Sequence, residues 1–184
     1  MARKASLMKA ITLLFSVFLV HLAFAEDWGA YQIVPVSAPQ FVLEVVGDTV
    51  SINKPAEQLH QKWIIQPRGD GWNWIMPASQ PGLALTVDGA GTKNGTKILL
   101  AKDNKSDAQL WSITKNDNGS YSMEPKHAPG MGIDHLGGKK EVGAKIDLWQ
   151  HNKNDAHLQW FIRPLAGSNV VQPSPAAPSY IPPA

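Results

Sequence analysis

Residues 130–160 combine side chains that suit the binding of a polyhydroxylated ligand. Asp134 and Asp147 supply two carboxylates, and Trp149 follows Asp147 by two positions. Carboxylates accept hydrogen bonds from hydroxyl groups, and the face of an indole ring packs against C–H surface. Because a strand places residues i and i+2 on one face, Asp147 and Trp149 are expected to face the same way. The spacing therefore predicts a site for a sugar-like ligand.

Other chemistry has weaker support in the same stretch. Asp134 and Asp147 could act as the paired acids of glycoside hydrolysis, but no further catalytic carboxylate is indicated. No Gly-x-Ser-x-Gly motif for a nucleophilic serine occurs. Histidines are frequent in this stretch and just before it, but their spacing matches no standard metal-ligand pattern; they are His127, His135, His151 and His157. We therefore predict a protein that is not an enzyme and that holds no metal and no cofactor.

Three segments of the chain repeat, and the candidate residues lie in the third. The segments align through Pro35, Pro77 and Pro125, and each unit ends in a tryptophan. The second and third units share many further residues at one constant offset, among them Gly89 with Gly137, Leu100 with Leu148, Asn104 with Asn152 and Asp107 with Asp155. Self-similarity of this kind is the sequence signature of a repeated structural unit.

Each unit has the local pattern of β structure. Short runs such as Ala84 to Val87 and Ile146 to Trp149 alternate with period two, and Gly-, Asn- and Asp-rich turns separate them. No segment after residue 25 shows a sustained helical stripe. Three copies of about four short strands predict an all-β domain that closes with threefold symmetry and so leaves no exposed sheet edges.

The chain resembles the ricin B-type lectin domain, a β-trefoil whose repeats close on Gln-x-Trp. Gln61-Lys62-Trp63 and Gln109-Leu110-Trp111 match that motif, whereas the third unit reads Leu158-Gln159-Trp160, with its glutamine out of register. The resemblance covers residues 28–165. It implies a β-trefoil with pseudo-threefold symmetry and repeats at about 28–68, 69–116 and 117–165, the first of them shortened.

The resemblance also implies roles for individual residues. The closing tryptophans, Trp63, Trp111 and Trp160, should fill the core. In the family an Asp after the first leucine takes sugar hydroxyls, an aromatic stacks on the ring, and an Asn before the closing motif completes the site. Here Asp134 is expected on the outward side of its strand, Trp149 at the aromatic position, Asp147 in place of a glutamine and His157 in place of the Asn. Two further candidates are Asn152 and His135, and His135 stands where the family has an inward apolar residue.

The other two repeats lack parts of this site. In the second, Thr86 replaces the aspartate and Ala101 replaces the aromatic. In the first, Glu44 follows Leu43, but the segment up to Trp63 is six residues shorter than its counterpart. The hairpin is expected to be missing there, and with it any aromatic position. One competent site, in the third repeat, is the prediction.

The first 25 residues of the chain predict export. Residues 1–25 combine a basic start with an apolar run and end in Ala23-Phe24-Ala25, the pattern of a signal peptide cleaved after Ala25. We expect a secreted or periplasmic protein without a membrane span after cleavage. Without that segment 14 Lys+Arg face 15 Asp+Glu, which does not favour nucleic acid as a partner. The absence of cysteine weakly favours a bacterial exported protein over a disulfide-bonded eukaryotic one.

Two functional hypotheses follow. The first is a carbohydrate-binding module that recognises a glycan or polysaccharide through the third repeat. The second is a trefoil scaffold without sugar binding that holds a protein partner, as an inhibitor or an adhesion accessory, because a fold does not fix a function. The Pro-, Ala- and Ser-rich tail over 166–184 is expected to be disordered under either hypothesis.

Overall fold

The computed structural model describes residues 30–152 and 154–165, and these residues form strands joined by turns and short 3₁₀ turns. The thirteen strands are β1 (Ala30–Pro35), β2 (Val42–Val46), β3 (Thr49–Asn53), β4 (Trp63–Pro67), β5 (Asn73–Pro77), β6 (Leu83–Val87), β7 (Thr96–Lys102), β8 (Trp111–Lys115), β9 (Tyr121–Pro125), β10 (Met131–Asp134), β11 (Ala144–Lys145), β12 (Asp147–Gln150) and β13 (Trp160–Pro164). The alternating apolar residues of the sequence therefore form strands, as predicted.

Six of the strands close into an antiparallel barrel in the order β1-β13-β9-β8-β5-β4. The first and last described strands meet in this barrel, since β1 pairs with β13 with Tyr31 opposite Pro164 and Val34 opposite Phe161. Closure leaves the barrel strands no free edge for pairing with another chain. The remaining strands form hairpins at one end, β2–β3, β6–β7 and β10–β12, and β11 adds to β3. Three hairpins on a six-stranded barrel make a β-trefoil.

The closing tryptophans lie at the centre of the fold. Trp63, Trp111 and Trp160 are fully buried. Each indole Nε1 donates to the backbone carbonyl of the residue at the first leucine position, Leu43, Leu85 and Ile133, over 3.0, 2.9 and 2.9 Å. The large flat rings thus fill the core without leaving their N–H groups unpaired, and they tie each hairpin to the barrel.

The first repeat keeps its hairpin, contrary to the prediction from its length. Val46 pairs with Thr49, so the missing residues come out of the hairpin loop and leave a tight turn at Gly47 and Asp48. Gly47 has φ +67°, a conformation that glycine adopts without strain. The aromatic position also exists: Asn53 occupies in β3 the place that Ala101 takes in β7 and Trp149 in β12.

Two of the sequence predictions concern the ends of the chain. The signal peptide at 1–25 and the tail at 166–184 both lie outside the described residues. Within the residues that are described, no helix is long and apolar enough to cross a membrane.

Candidate functional site

The hairpin of β10 and β12 positions most of the predicted site. Asp134 pairs with Asp147 and Gly132 with Trp149, while Ile133 pairs with Leu148. Ile133 and Leu148 are buried in the hydrophobic core. Alternation therefore places the two aspartates and Trp149 on the opposite face of the hairpin, together with the small Gly132.

Asp134 is not at the surface, although its strand face is the expected one. Its exposed fraction is 0%. Both carboxylate oxygens are used inside the protein, because Gly137 N donates to Oδ2 over 2.8 Å and His157 Nδ1 lies 2.9 Å from Oδ1. The expectation of an outward-facing Asp134 is wrong because the segment after β10 turns back over the carboxylate. Asp134 is thus closed to a ligand in this arrangement, because its carboxylate is buried and engaged inside the protein.

His157 lies between Asp134 and the surface. An ionised carboxylate only accepts hydrogen bonds, so the hydrogen is on Nδ1 of the imidazole. About a third of the His157 side chain remains exposed, and its Nε2 lies 4.0 Å from Asp155 Oδ2. Gly138 passes close to the ring with φ +73°, and a Cβ there would come within 3.4 Å of His157 Cδ2. That distance is an ordinary van der Waals contact, so the positive φ and not a lack of space favours glycine at this turn.

Asp147 is buried beside Asp134 without partners of its own. It is 2% exposed, and neither carboxylate oxygen has a hydrogen-bond partner among the described residues. Burial, with the neighbouring Asp134 charge second, raises the pKa of Asp147 to about 7. The predicted role of Asp147 as a ligand contact does not fit a side chain with so little exposure.

The same inward contact occurs in the other repeats with different residues. Gln61 Nε2 donates to Glu44 Oε2 in the first repeat. Gln109 Nε2 donates to Thr86 Oγ1 over 3.0 Å in the second. These glutamines precede their tryptophans by two residues, whereas Leu158 holds that position in the third repeat and His157 makes the contact from one residue earlier. Gln159, the shifted glutamine, instead accepts from Asn118 Nδ2 over 2.8 Å.

Trp149 is the predicted residue that does face solvent. It is 36% exposed and forms part of the wall of an open cleft of about 620 Å³. A cleft of this volume is in the range of small-ligand sites. Its lining is otherwise polar and joins the third repeat to the loop before β7; the lining residues are Asn94, Trp149, Gln150, His151, Asn152 and Asp155. The predicted additional residue Asn152 therefore lines the cleft, whereas Asp134, Asp147 and His157 do not.

His135, the other additional candidate, is a core residue. It is fully buried, and its ring packs edge-on against Trp160 with 6.0 Å between centroids. Nδ1 lies 2.8 Å from the Lys139 carbonyl oxygen and Nε2 lies 2.6 Å from Ser37 Oγ. Burial lowers the pKa of His135. The histidine joins the first and third repeats and does not line the cleft.

Sequence reasoning missed residues that shape the cleft. Asn94 comes from the second repeat, and its Oδ1 accepts from Gln150 N over 2.7 Å. Asp155 also lines the cleft, and its side chain is 37% exposed. Asp155 matches Asp107 in the repeat alignment, but the family resemblance implies Asp134, and not Asp155, as the sugar-binding carboxylate. No sequence signal connects Asn94 to Trp149, because they belong to different repeats.

His151 is held firmly at the wall of the cleft. Nδ1 lies 3.2 Å from Glu124 Oε1, and Nε2 lies 3.1 Å from Ser122 Oγ. The hydrogen bond with His151 lowers the pKa of Glu124. Ser122 is 4% exposed, so this serine–histidine–glutamate chain orients the imidazole and presents no nucleophile to solvent. Among the described residues no three His, Asp or Glu side chains are arranged to hold a metal ion.

Comparisons with known proteins agree with this architecture. The model of the ricin-type beta-trefoil lectin domain-like family matches residues 21–101 and 59–149. A search of curated proteins finds no match.

Solved structures with the same fold include free-standing proteins and parts of larger chains. The designed threefold-symmetric protein ThreeFoil is 22% identical, with a TM-score of 0.70 over 74% of this chain and 99% of its own. The Macrolepiota procera ricin B-like lectin in complex with lactose is 19% identical, with a TM-score of 0.65 over 75% of this chain and 96% of its own. The exo-beta-1,3-galactanase 1,3Gal43A of Clostridium thermocellum is 21% identical, with a TM-score of 0.67 over 74% of this chain and 30% of its own.

Proposed function

The chain belongs to the ricin-type β-trefoil lectin-like family, because the family model matches more than half of its length, and we propose that it is a carbohydrate-binding module. The ligand is held in the third repeat, with the apolar face of a sugar ring against Trp149. The observation that carries this proposal is the exposed Trp149 ring at the wall of a polar cleft. A sugar needs this combination, because it offers C–H surface on one side and hydroxyl groups around its edge.

The other repeats support a single site. The position of Trp149 is taken by Asn53 in the first repeat and by Ala101 in the second. Asn53 Nδ2 donates to Glu44 Oε1 over 3.2 Å and so belongs to the internal contacts of its own hairpin. Neither residue offers a flat apolar face to a sugar ring. Binding through one site is weak, and useful avidity then comes from a clustered ligand.

Asp134, Asp147 and His157 have a supporting role in this proposal. Asp134 and Asp147 lie across from each other in the hairpin that carries Trp149, and both are buried. His157 pairs with Asp134 and holds the chain segment that leads to Trp160. These residues position the hairpin, and Trp149 contacts the ligand.

Binding without catalysis is part of the proposal. A glycosidase places its substrate between two carboxyl groups, both of which reach the scissile bond. Asp134 and Asp147 are nearly inaccessible to any sugar, since their exposed fractions are 0% and 2%. An assay for reducing ends released from oligosaccharides tests this point, and steady release by the purified protein would contradict it.

A glycan array with the purified protein and its Trp149→Ala variant tests the function. The parent is expected to retain at least one glycan, and the variant to lose more than about tenfold in affinity, as exposed tryptophans at binding sites do. Trp74→Ala is the matched control, because Trp74 is partly exposed on barrel strand β5, where Arg68 stacks on it with 3.9 Å to the ring centroid. It should bind as the parent does.

Two outcomes would change the proposal. An array without any retained glycan, combined with a protein partner captured in the presence of free sugar, would favour the protein-binding scaffold. Equal loss of binding in Trp149→Ala and Trp74→Ala would show that the array reports nonspecific adhesion.

We further propose that residues 1–25 direct export and are then removed. N-terminal sequencing of the protein from culture medium or periplasm tests this, and the expected first residue is Glu26.

A further inference from the structure

We infer that the hydroxyl groups of the sugar are bound by Asp155 and Asn94, which line the cleft together with Trp149, and not by Asp134. The ligand class is a neutral pyranoside with two adjacent hydroxyl groups. This inference rests on the proposed carbohydrate binding and assigns it to a cleft shared by the second and third repeats. The two residues and Trp149 line the same cleft.

A sugar-binding carboxylate must be reachable from solvent and must not already be committed to hydrogen bonds inside the protein. Asp134 meets neither condition, because it is fully buried and both of its oxygens already have internal partners, Gly137 N and His157 Nδ1. Releasing one of those partners for a sugar hydroxyl would exchange one hydrogen bond for another while exposing a buried charge. Such an exchange gains little affinity.

Asp155 meets both conditions. Its side chain is 37% exposed. Within the described part of the chain its carboxylate accepts no hydrogen bond, and His157 Nε2 lies 4.0 Å from it. The backbone around it is fixed, since Asp155 N donates to Asn152 O over 3.0 Å and Leu158 N donates to Asp155 O over 3.0 Å. A carboxylate held in this way can accept from two neighbouring hydroxyl groups at once.

Asn94 supplies the complementary donor from the second repeat. Its Oδ1 is occupied by Gln150 N over 2.7 Å, which fixes the orientation of the amide. The Nδ2 hydrogens then point away from that contact, and Nδ2 has no acceptor within the described residues. Gln150 directly follows Trp149, so this single hydrogen bond places an amide donor beside the tryptophan. The first and third repeats alone do not complete the site.

The charge of the cleft favours a neutral ligand. Its described lining contains no Lys or Arg, and His151 is already paired with Glu124. An anionic sugar would bring its carboxylate near Asp155 with no cation among those residues to offset it, and like charges at short range are unfavourable. A neutral ring that stacks on Trp149 and directs two hydroxyl groups at Asp155 has no such penalty.

The test measures binding of methyl galactoside, methyl glucoside, methyl mannoside, methyl xyloside and lactose by NMR titration of the tryptophan indole N–H signals. Asp155→Asn keeps the size of the side chain and removes its charge. Asn94→Asp keeps the acceptor for Gln150 N and removes the amide donor. Each variant is expected to lower the affinity for the probe by about tenfold, which is the effect of one charge-assisted or well-placed hydrogen bond. Asp107→Asn is the matched control, since Asp107 is an exposed acid of the second repeat that pairs with Lys126 over 3.0 Å. It should leave binding unchanged.

The outcomes separate this inference from the function on which it rests. If none of the probes shifts the Trp149 signal and no glycan is retained on an array, the proposed function fails and the inference fails with it. If a probe binds the parent, is lost in Trp149→Ala and still binds Asp155→Asn and Asn94→Asp with parent affinity, only the inference is overturned. Tighter binding of a sialylated glycan than of its neutral counterpart would likewise contradict the neutral ligand class.

Discussion

Asp134 is held inside the protein by His157, whose Nδ1 lies 2.9 Å from its Oδ1. The pair takes the place of a glutamine contact in the other repeats, Gln61 with Glu44 and Gln109 with Thr86. In all three repeats the residue after the first leucine position is thus anchored by the segment that leads to the closing tryptophan. This anchoring explains why an aspartate at a family sugar-binding position is closed to solvent in this protein.

Replacement of His157 tests the anchoring contact. His157→Ala leaves the buried Asp134 carboxylate with one partner fewer, so we expect a loss of about 1–3 kcal/mol in the free energy of unfolding. His157→Asn should lose less stability. The amide nitrogen of asparagine is bonded to Cγ, as Nδ1 is in histidine, and can therefore donate to the Asp134 carboxylate from a similar position. Urea unfolding at neutral pH measures both, and equal stability of the alanine and asparagine variants would contradict the assignment.

Asp134→Ala is expected to destabilise the fold in addition to any effect on binding. The substitution removes the acceptor of both Gly137 N and His157 Nδ1. Because the two residues form one contact, the double variant Asp134→Ala, His157→Ala should lose less stability than the two single losses added together. Thermal unfolding of the three variants measures the coupling. Strict additivity would mean that the two residues do not stabilise the fold through their contact with each other.

Much of the fold could be predicted from the sequence, because repetition and alternation are properties of the chain itself. The threefold pattern, the strand character of the repeats and the burial of Trp63, Trp111 and Trp160 all follow from residue types at regular spacing. The resemblance to the ricin B-type domain then gave the barrel and its hairpins. The hairpin of the first repeat could not be predicted, because a length difference shows how many residues are missing and not whether they come from strand or loop.

The site was less predictable, for physical reasons. Alternation places Asp134 on the face opposite to Ile133, but it does not show that the following loop and His157 cover that face. Burial by a distant segment is a property of the folded chain. Asn94 and Trp149 come together only because β12 pairs with β7, with Leu148 opposite Thr96. Of the predicted site, the fold exposes Trp149 and buries both Asp134 and Asp147.

The core tryptophans should tolerate loss of the indole N–H poorly. Trp160→Phe keeps an aromatic ring but leaves the Ile133 carbonyl, which accepts from Nε1 over 2.9 Å, without that partner. We expect a loss of about 2–4 kcal/mol from the smaller ring and the unpaired carbonyl together. Urea unfolding measures the change. A parent-like stability would show that the hydrogen bond to the hairpin is dispensable.

The two contacts of His135 predict its tautomer. A carbonyl oxygen only accepts, so Nδ1 carries the hydrogen that reaches Lys139 O, and Nε2 accepts from the Ser37 hydroxyl. Nitrogen NMR of the imidazole should show a protonated Nδ1 and an unprotonated Nε2 at neutral pH. The opposite pattern would contradict the buried arrangement. Ser37→Ala should leave Nε2 unpaired and reduce stability by about 1–2 kcal/mol.

Asp147 should make the stability of the protein fall with rising pH. Its pKa is about 7 in the folded protein against 3.8 without the protein environment, owing first to burial and then to the Asp134 charge. Between these values the unfolded chain has released a proton that the folded protein still holds. The free energy of unfolding therefore decreases by up to about 1.4 kcal/mol for each pH unit in that window, and the contribution levels off above it.

Comparison with Asp147→Asn isolates this effect from other titrating groups. His135 acts in the opposite direction, because its lowered pKa costs stability as the pH falls, but it is present in both proteins and cancels in the difference. The stability of Asp147→Asn relative to the parent should therefore rise from pH 4 to pH 7 and stay constant above that. Asp117→Asn, at an exposed turn, is the control for loss of an acidic side chain elsewhere in the protein. A difference between Asp147→Asn and the parent that does not change with pH would mean that Asp147 is ionised throughout the range and that its burial is relieved in solution.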